Sequence, residues 1–172
     1  MESLINSIID LFSGLLAMKY GKEVLVFIIS ILPILELRGG LLAASLLNVS
    51  PVRAYIISIL GNVLPVPFIL LFINKILEWM ENSKIKWMNK FAKWLHKKSD
   101  KNKGQIEKFG YFGLLLFIGI PLPGTGAWTG CLIASLLNMD RKKSFFAALG
   151  GIIMASIIMM ILSYGVLKGI IS

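Results

Sequence analysis

Apolar residues are arranged along this chain in two ways, as helical stripes and as long continuous stretches, and the same order of the two occurs twice. On a helical wheel Leu4, Ile5, Ile8, Leu11, Phe12 and Leu15 share one face, with Asn6, Asp10 and Ser13 opposite. That spacing predicts an amphipathic helix over 3–18. Over 78–98, Met80, Trp87, Met88, Phe91, Trp94 and Leu95 share an arc, while Lys86, Lys90, Lys93 and Lys97 fill another. Trp79, Trp87 and Trp94 lie on this second helix, at the depth where headgroups favour indole rings. Both stripes predict helices lying in the membrane interface.

The continuous stretches that follow are broken in their middles. Residues 23–48 contain Pro33, Glu36, Arg38, Gly39 and Gly40; residues 109–139 contain Pro121, Pro123, Gly124, Gly126 and Gly130, and no charge. A crossing takes about 20 residues, so each stretch is long for one span and short for two. Pro and Gly at the centre stop a helix. Two half-helices in a re-entrant hairpin fit the length. Each half then closes with an ordinary span, 54–74 (carrying Pro65 and Pro67) and 144–167.

The recurrence is visible in the residues themselves. Ala44-Ser45-Leu46-Leu47-Asn48 returns unchanged as Ala134-Ser135-Leu136-Leu137-Asn138, an offset of 90. At that offset Leu25, Phe27, Ile28, Pro33, Gly40 and Gly61 meet Leu115, Phe117, Ile118, Pro123, Gly130 and Gly151. Two homologous halves follow, 1–80 and 81–172. With one crossing per half, the halves must be inverted relative to each other. The predicted fold is an all-α integral membrane protein. It has two inverted repeats, each an interfacial amphipathic helix, a Pro/Gly-broken re-entrant helical hairpin and one transmembrane helix.

Composition agrees with this picture. The chain has 172 residues, 56% hydrophobic and 16% charged, against roughly 45–50% and 25% for soluble domains. Cys131 is the only cysteine, which excludes an internal disulfide. The first ten residues carry Glu2 and Asp10 and no basic residue, the reverse of a secretory leader. Of 18 basic residues, ten lie between Lys75 and Lys108. In so apolar a chain that block reads as a cytoplasmic, lipid-facing segment under the positive-inside rule, and not as a nucleic-acid surface. The 75–108 linker and Arg141-Lys142-Lys143 then share the cytoplasmic side, and both termini face outward.

Glu36 and Arg38 are the charges in the interior of the apolar stretches. Each costs roughly 2.5–3.5 kcal/mol at a helix centre, and an ionisable residue there marks a functional site by default. A structural ion pair is the competing reading. Residues two apart do not face each other on a helix, so such a pair needs irregular backbone. A further alternative has Glu36 satisfying amides where the second half-helix begins.

The matching element of the second half supplies Gly124, Thr125, Gly126, Trp128 and Thr129. Its glycines let backbone approach a ligand, and the following helix offers unpaired N–H groups; close packing of small residues is the alternative. Together with Arg38, Gly39 and Gly40 these residues predict a midplane substrate site between the two hairpins, suited to an anionic group such as a lipid phosphate or small organic anion. Glu36 would exchange protons.

Asn62 either lines the pathway or bonds between helices. Ser45, Asn48, Ser135 and Asn138 read as packing or caps at the far ends of the half-helices, His96 as solvated, and Cys131 as an apolar filler. No nucleophile elbow, zinc motif, CxxC or phosphate loop occurs, so neither an enzyme, a metal nor a cofactor is expected.

Pro33-Ile34-Leu35-Glu36-Leu37-Arg38-Gly39-Gly40 resembles the Pro-x-x-Glu-Leu-Arg-Gly element of the prokaryotic small multi-drug export protein family. Phe109-Gly110 followed by Pro121-Leu122-Pro123-Gly124-Thr125-Gly126-Ala127-Trp128-Thr129-Gly130 resembles its second signature. The resemblance extends over about 20–165 and implies a membrane exporter. More distantly, the architecture is similar to the DedA/VTT superfamily, whose members have paired re-entrant hairpins and are linked to lipid transport. The second hairpin departs from that superfamily in having no arginine.

The reading that results is a small, proton-coupled transporter in a prokaryotic inner or plasma membrane. It is multi-pass and dimeric, with membrane lipids and a small-molecule or lipid substrate as partners and no nucleic acid. Two alternatives stand beside it: export of cationic drugs at Glu36, and a non-transporting scaffold that binds anionic lipid.

Overall fold

A computed structural model describes residue 14 and residues 18–82, 86–122 and 124–166. Among the described residues every regular element is helical. The expected helix over 3–18 lies almost wholly outside them, as do Pro123 and the side chains of Trp87, Met88, Phe91, Trp94 and Leu95.

The elements are α1 (Gly21–Ile31), α2 (Glu36–Leu46), α3 (Pro51–Val63), α4 (Pro65–Glu81), α5 (Lys86–Gly119), α6 (Ala127–Leu136) and α7 (Arg141–Met160), which runs into a π-helical turn, Ile161–Val166. Two apolar runs are long enough to cross a bilayer, Pro51–Met80 and Arg141–Gly165, with mean hydropathies of 2.4 and 2.5. The first is interrupted at Leu64, because Pro65 has no N–H to continue the helix and starts α4 instead.

The expected basic helix over 78–98 is divided differently. Residues 78–81 extend α4, because Leu77 and Met80 pack on Leu132, and α5 starts at Lys86. The second hairpin, expected from 109, does begin a new helix there: α5 is two helices that meet at Gly110, whose backbone is non-helical at φ 57°, and the part after Gly110 is the hairpin's first arm.

The chain forms two compact units, 1–64 with 152–172, and 65–151, a different division from the sequence repeats. In the first unit α1, α2 and α3 pack on one another, around a core that includes Leu25, Ile29, Leu35 and Ala43. The end of the α7 run joins them: Ser45 Oγ donates to the Ser163 carbonyl (2.8 Å) and Tyr164 Oη to that of Val49 (2.9 Å). In the second unit α6 packs against α4 and α5, and Asn74 Nδ2 donates to the Ser135 carbonyl (2.9 Å).

Internally, the units are built alike. Asn48 and Asn138 both stand in the left-handed region (φ 54° and 51°) just past their helices. Around each, the next amide folds back in the same way: Val49 N–H to Ala44 O (2.9 Å), and Met139 N–H to Ala134 O (3.0 Å). Both half-helices thus end in a Schellman-type cap, the role expected of the two asparagines.

The offset of 90 does not extend to the first arm. A Cβ at Gly61 would lie 2.8 Å from Ser30 Cβ and 2.9 Å from the Phe27 carbonyl oxygen. At Gly151 it would lie 2.7 Å from Ile118 Cβ and 2.8 Å from the Leu115 carbonyl oxygen. Phe27 therefore matches Leu115, and Ser30 matches Ile118, an offset of 88. The order of buried and half-buried positions over 25–30 repeats over 113–118 in the same register. The identities of Leu25, Phe27 and Ile28 at offset 90 are coincidences of a Leu/Phe/Ile-rich sequence. The two-residue shift is absorbed in the hairpin turn, which is longer in the second unit.

Large apolar side chains stay exposed on the outer faces: Ile56 and Leu60 on α3, Phe68 and Phe72 on α4, Phe146, Ile153 and Ile157 on α7. So much apolar surface on the longest helices is what hydrocarbon, not water, accommodates.

Candidate functional site

The turn between α1 and α2 is short and apolar. Leu32 N–H closes α1 on the Ile29 carbonyl (3.2 Å), and Glu36 N–H reaches back to the Leu32 carbonyl (2.8 Å). Glu36 then opens α2 with φ at 51°. The left-handed region costs an L-residue with a long side chain roughly 1–2 kcal/mol. At the equivalent place in the second unit the chain has Gly126, with φ at 133°. A carboxylate therefore occupies a backbone position that suits glycine.

Glu36 is also buried, at 5% exposure, and so is Arg38 at 9%. The Glu36 carboxylate acts electrostatically on the Arg38 guanidinium. The positive φ at Glu36 is the irregular backbone that a Glu–Arg pair two residues apart requires. Glu36 is moreover the acidic residue of α2's first turn, where the amide dipoles favour negative charge.

Gly39 and Gly40 lie inside α2 and are buried. A Cβ at Gly39 would sit 2.6 Å from Leu35 Cβ and 3.3 Å from Ile29 Cγ2, and one at Gly40 would overlap Ser30 Oγ and come within 3.0 Å of Ser58 Oγ. These two glycines bring helices together. Their faces, expected from the sequence to touch substrate, are occupied by α1 and α3.

What Gly40 packs against is polar. Ser30 Oγ donates to the Val26 carbonyl (2.7 Å). Ser58 Oγ and both amide atoms of Asn62 are buried without a hydrogen-bond partner, so the alternative in which Asn62 bonds between helices is not what the structure contains. Asn62 is 0% exposed, and an unpaired buried polar group costs roughly 1–3 kcal/mol. In the second unit the places of Ser30 and Ser58 are taken by Ile118 and Ala148, both buried. At the sequence equivalent of Asn62 stands Ile152. Ser30 and Ser58 carry no motif, and only their apolar counterparts in the other half could have singled them out.

The second hairpin turn is built from backbone. Gly124 has φ at 85° and open space around it. Thr125 Oγ1 lies 2.8 Å from the Leu122 carbonyl oxygen and 3.0 Å from that of Ile120, holding the turn. Gly126 precedes α6, and Trp128 and Thr129 are half-buried on its first turn. A cleft of about 280 Å³ under this turn is lined by Phe109, Leu116, Phe117, Ile120, Leu122 and Thr125. Gly130 sits against Ile118 and Leu114, and Cys131 is buried and outside any disulfide. Among the described residues no group of His, Cys, Asp and Glu converges as metal ligands would.

The two candidate elements thus differ in kind. The first concentrates buried ionisable and polar groups on α2 and α3, and the second offers a glycine turn and an apolar cleft. No curated protein and no solved structure matches the chain. A family model described as "Putative small multi-drug export protein" matches residues 36–158, more than half of it.

Proposed function

The chain belongs to the small multi-drug export family, and on that footing we propose that this membrane protein exports small molecules from a site built on Glu36 and Arg38. The observation that carries the reading is Glu36 itself. It is a buried carboxylate, held at a positive φ, at the start of an apolar half-helix where the other half of the chain uses glycine.

Arg38 supplies a fork of donors for one anionic group of the substrate, and Glu36 exchanges the proton that drives transport. Helix length supports hairpins that enter the bilayer and return. α1 and α2 have 11 residues each and α6 has 10, which at about 1.5 Å per residue reach only some half of a hydrocarbon core of about 30 Å. With re-entrant hairpins each half crosses once, and the positive-inside rule puts the 75–108 segment and Arg141–Lys143 in the cytoplasm.

Reconstituted vesicles test the reading, with carboxyfluorescein and ethidium as anionic and cationic probes. Wild type should move the anion with a pH dependence that Glu36→Gln removes, and Arg38→Ala should abolish anion movement. Ethidium movement that survives Arg38→Ala and fails in Glu36→Gln would favour export of cations instead. Unchanged transport in both variants overturns the site.

The scaffold reading has an observation of its own. In the second unit a cleft of about 500 Å³ is walled by Pro67, Leu70, Leu71, Phe145 and Phe146 and bordered by Arg141 and Lys142. Acyl chain on apolar walls with an anionic headgroup at the cations fits it. If lipid binding is the function, Arg141→Gln with Lys142→Gln removes the preference for phosphatidylglycerol over phosphatidylcholine vesicles, and Glu36→Gln changes nothing.

A further inference from the structure

The polar seam on α3 follows from the register of its packing. α2 and α3 are joined by the short 47–50 turn and run antiparallel, and they meet where Gly40 approaches Ser58. Counting four residues from that contact, back along α2 and on along α3, gives Glu36 and Asn62 at the same level of the two helices. The amide of Asn62 has a donor and an acceptor, both buried and both unpartnered. An ionised carboxylate can satisfy only the donor, having no proton of its own to give. A protonated carboxyl satisfies both, with its O–H donating to Oδ1 and its C=O accepting from Nδ2–H in a closed pair.

We infer that Asn62 is the hydrogen-bond partner of Glu36 in its protonated form, so that Glu36 alternates between Arg38 when ionised and Asn62 when neutral. This rests on Glu36 being the proton-exchanging group, and it names the residue that holds the second state. On protonation the proton goes from the medium to a Glu36 oxygen, the attraction to Arg38 is lost, and the carboxyl turns to the amide one helix away. The guanidinium of Arg38, no longer drawn to a charged Glu36, can then turn to an anionic group, which couples proton uptake to substrate binding. The second half, with Ile152 in the place of Asn62 and Gly126 in the place of Glu36, has neither member of the pair.

Among the described residues of this unit, the other charges are too far off to set the midpoint. α2 packs against α1, α3 and the π-helical turn. The titratable groups those elements carry lie at the opposite end of the unit. Lys22 donates to the Leu47 carbonyl, Glu23 pairs with Arg53, Tyr164 donates to the Val49 carbonyl, and Tyr55 is the fifth residue of α3. The length of α2, 11 residues or about 16 Å, separates them from Glu36. Among the described residues of this unit Arg38 is the charge at Glu36's end.

The two partners must therefore move the titration in opposite directions. Asn62 stabilises the neutral form, so removing it demands more acid; Arg38 stabilises the ionised form, so removing it demands less. The experiment is infrared difference spectroscopy of the full chain in phosphatidylcholine vesicles across a pH series, reading the protonated carboxyl band that Glu36→Gln deletes.

In Asn62→Leu, close in volume, the midpoint should fall by about one pH unit, the equivalent of one or two net hydrogen bonds, and the band should move to the position of an unbonded carboxyl. In Arg38→Gln the midpoint should rise. Asn62→Ile, the residue found at position 152, is the second variant should Leu disturb packing. A wild-type band that titrates with an unchanged midpoint and frequency in both Asn62 variants overturns the inference alone. A wild type with no Glu36-dependent band overturns the proton-exchange reading beneath it.

Discussion

Replacing Glu36 by glycine and by glutamine should separate what the backbone wants from what the carboxylate does. Glu36→Gln keeps the side-chain size and the positive φ and removes the charge. Glu36→Gly removes the charge and the strain together. Both leave Arg38 equally without its counter-charge, so that cost, which can reach about 3–5 kcal/mol for a buried ion, cancels in the comparison. What remains is the relief of a left-handed conformation, about 1–2 kcal/mol, less the extra freedom glycine has in the unfolded chain, about 0.5–1 kcal/mol.

Glu36→Gly should therefore be more stable than Glu36→Gln by about 0.5–1 kcal/mol. For a chain of this length that is about 1–4 °C in Tm, readable by thermal unfolding in detergent. Both variants should lose pH-dependent transport. The reasoning is refuted if Glu36→Gly is the less stable of the two, which would mean the side chain beyond the carboxylate holds the turn, or if either variant transports like wild type.

Three further outcomes can be checked. Gly61→Ala and Gly151→Ala should each destabilise by about 1–3 kcal/mol in the same assay, because the new Cβ meets backbone oxygens at 2.9 and 2.8 Å; Gly110→Ala, with open space and φ at 57°, should cost only about 1–2 kcal/mol. Asn48→Gly and Asn138→Gly should leave stability equal or slightly higher, and the corresponding alanine changes should lower it by about 1 kcal/mol; unequal effects in the two halves would refute the identity of the caps. In a Cys131→Ala background, single cysteines at 50 and 140 should react with impermeant thiol reagents from opposite faces of the membrane, and labelling from one face would refute the inverted topology.

Much of this architecture was legible because helix breaks and caps are local events. The breaks follow Pro33 and Pro121, and the caps follow Asn48 and Asn138, where the sequence repeats word for word. The register of the first arm was not legible. Leu, Phe and Ile are interchangeable on a helix face, so identity matching chose an offset of 90 where the packing of Gly61 and Gly151 requires 88. Gly39 and Gly40 were misleading for a related reason. A glycine that lets a ligand approach and one that lets a neighbouring helix approach are the same residue in a sequence, and only Ser30, Ser58 and Ile29 at their faces tell them apart. The extension of α4 to Glu81 was hidden too, because Met80 fits the lysine-rich stripe after it as well as the apolar face before it, and only its packing on Leu132 decides.

Duplication offers a way to sort scaffold from chemistry in a single chain. A residue that the fold needs is needed twice. Gly40 and Gly130, Gly61 and Gly151, Asn48 and Asn138 recur at matched places and make matched contacts. A residue that the fold does not need has no reason to recur, and if it is costly it has a reason not to. Glu36 strains its backbone where the other half has Gly126. Arg38 brings charge into an apolar half-helix where the other half has Trp128. Ser58 and Asn62 bury unpaired polar atoms where the other half has Ala148 and Ile152. All four costs fall in one unit, on two packed helices, and stability alone would have replaced each residue by its counterpart. The second unit buries unpaired polar atoms of its own, at Asn74, Ser135 and Ser144, so it is the buried Glu36 and Arg38, on helices packed with Ser58 and Asn62, that support the site proposed on α2 and α3.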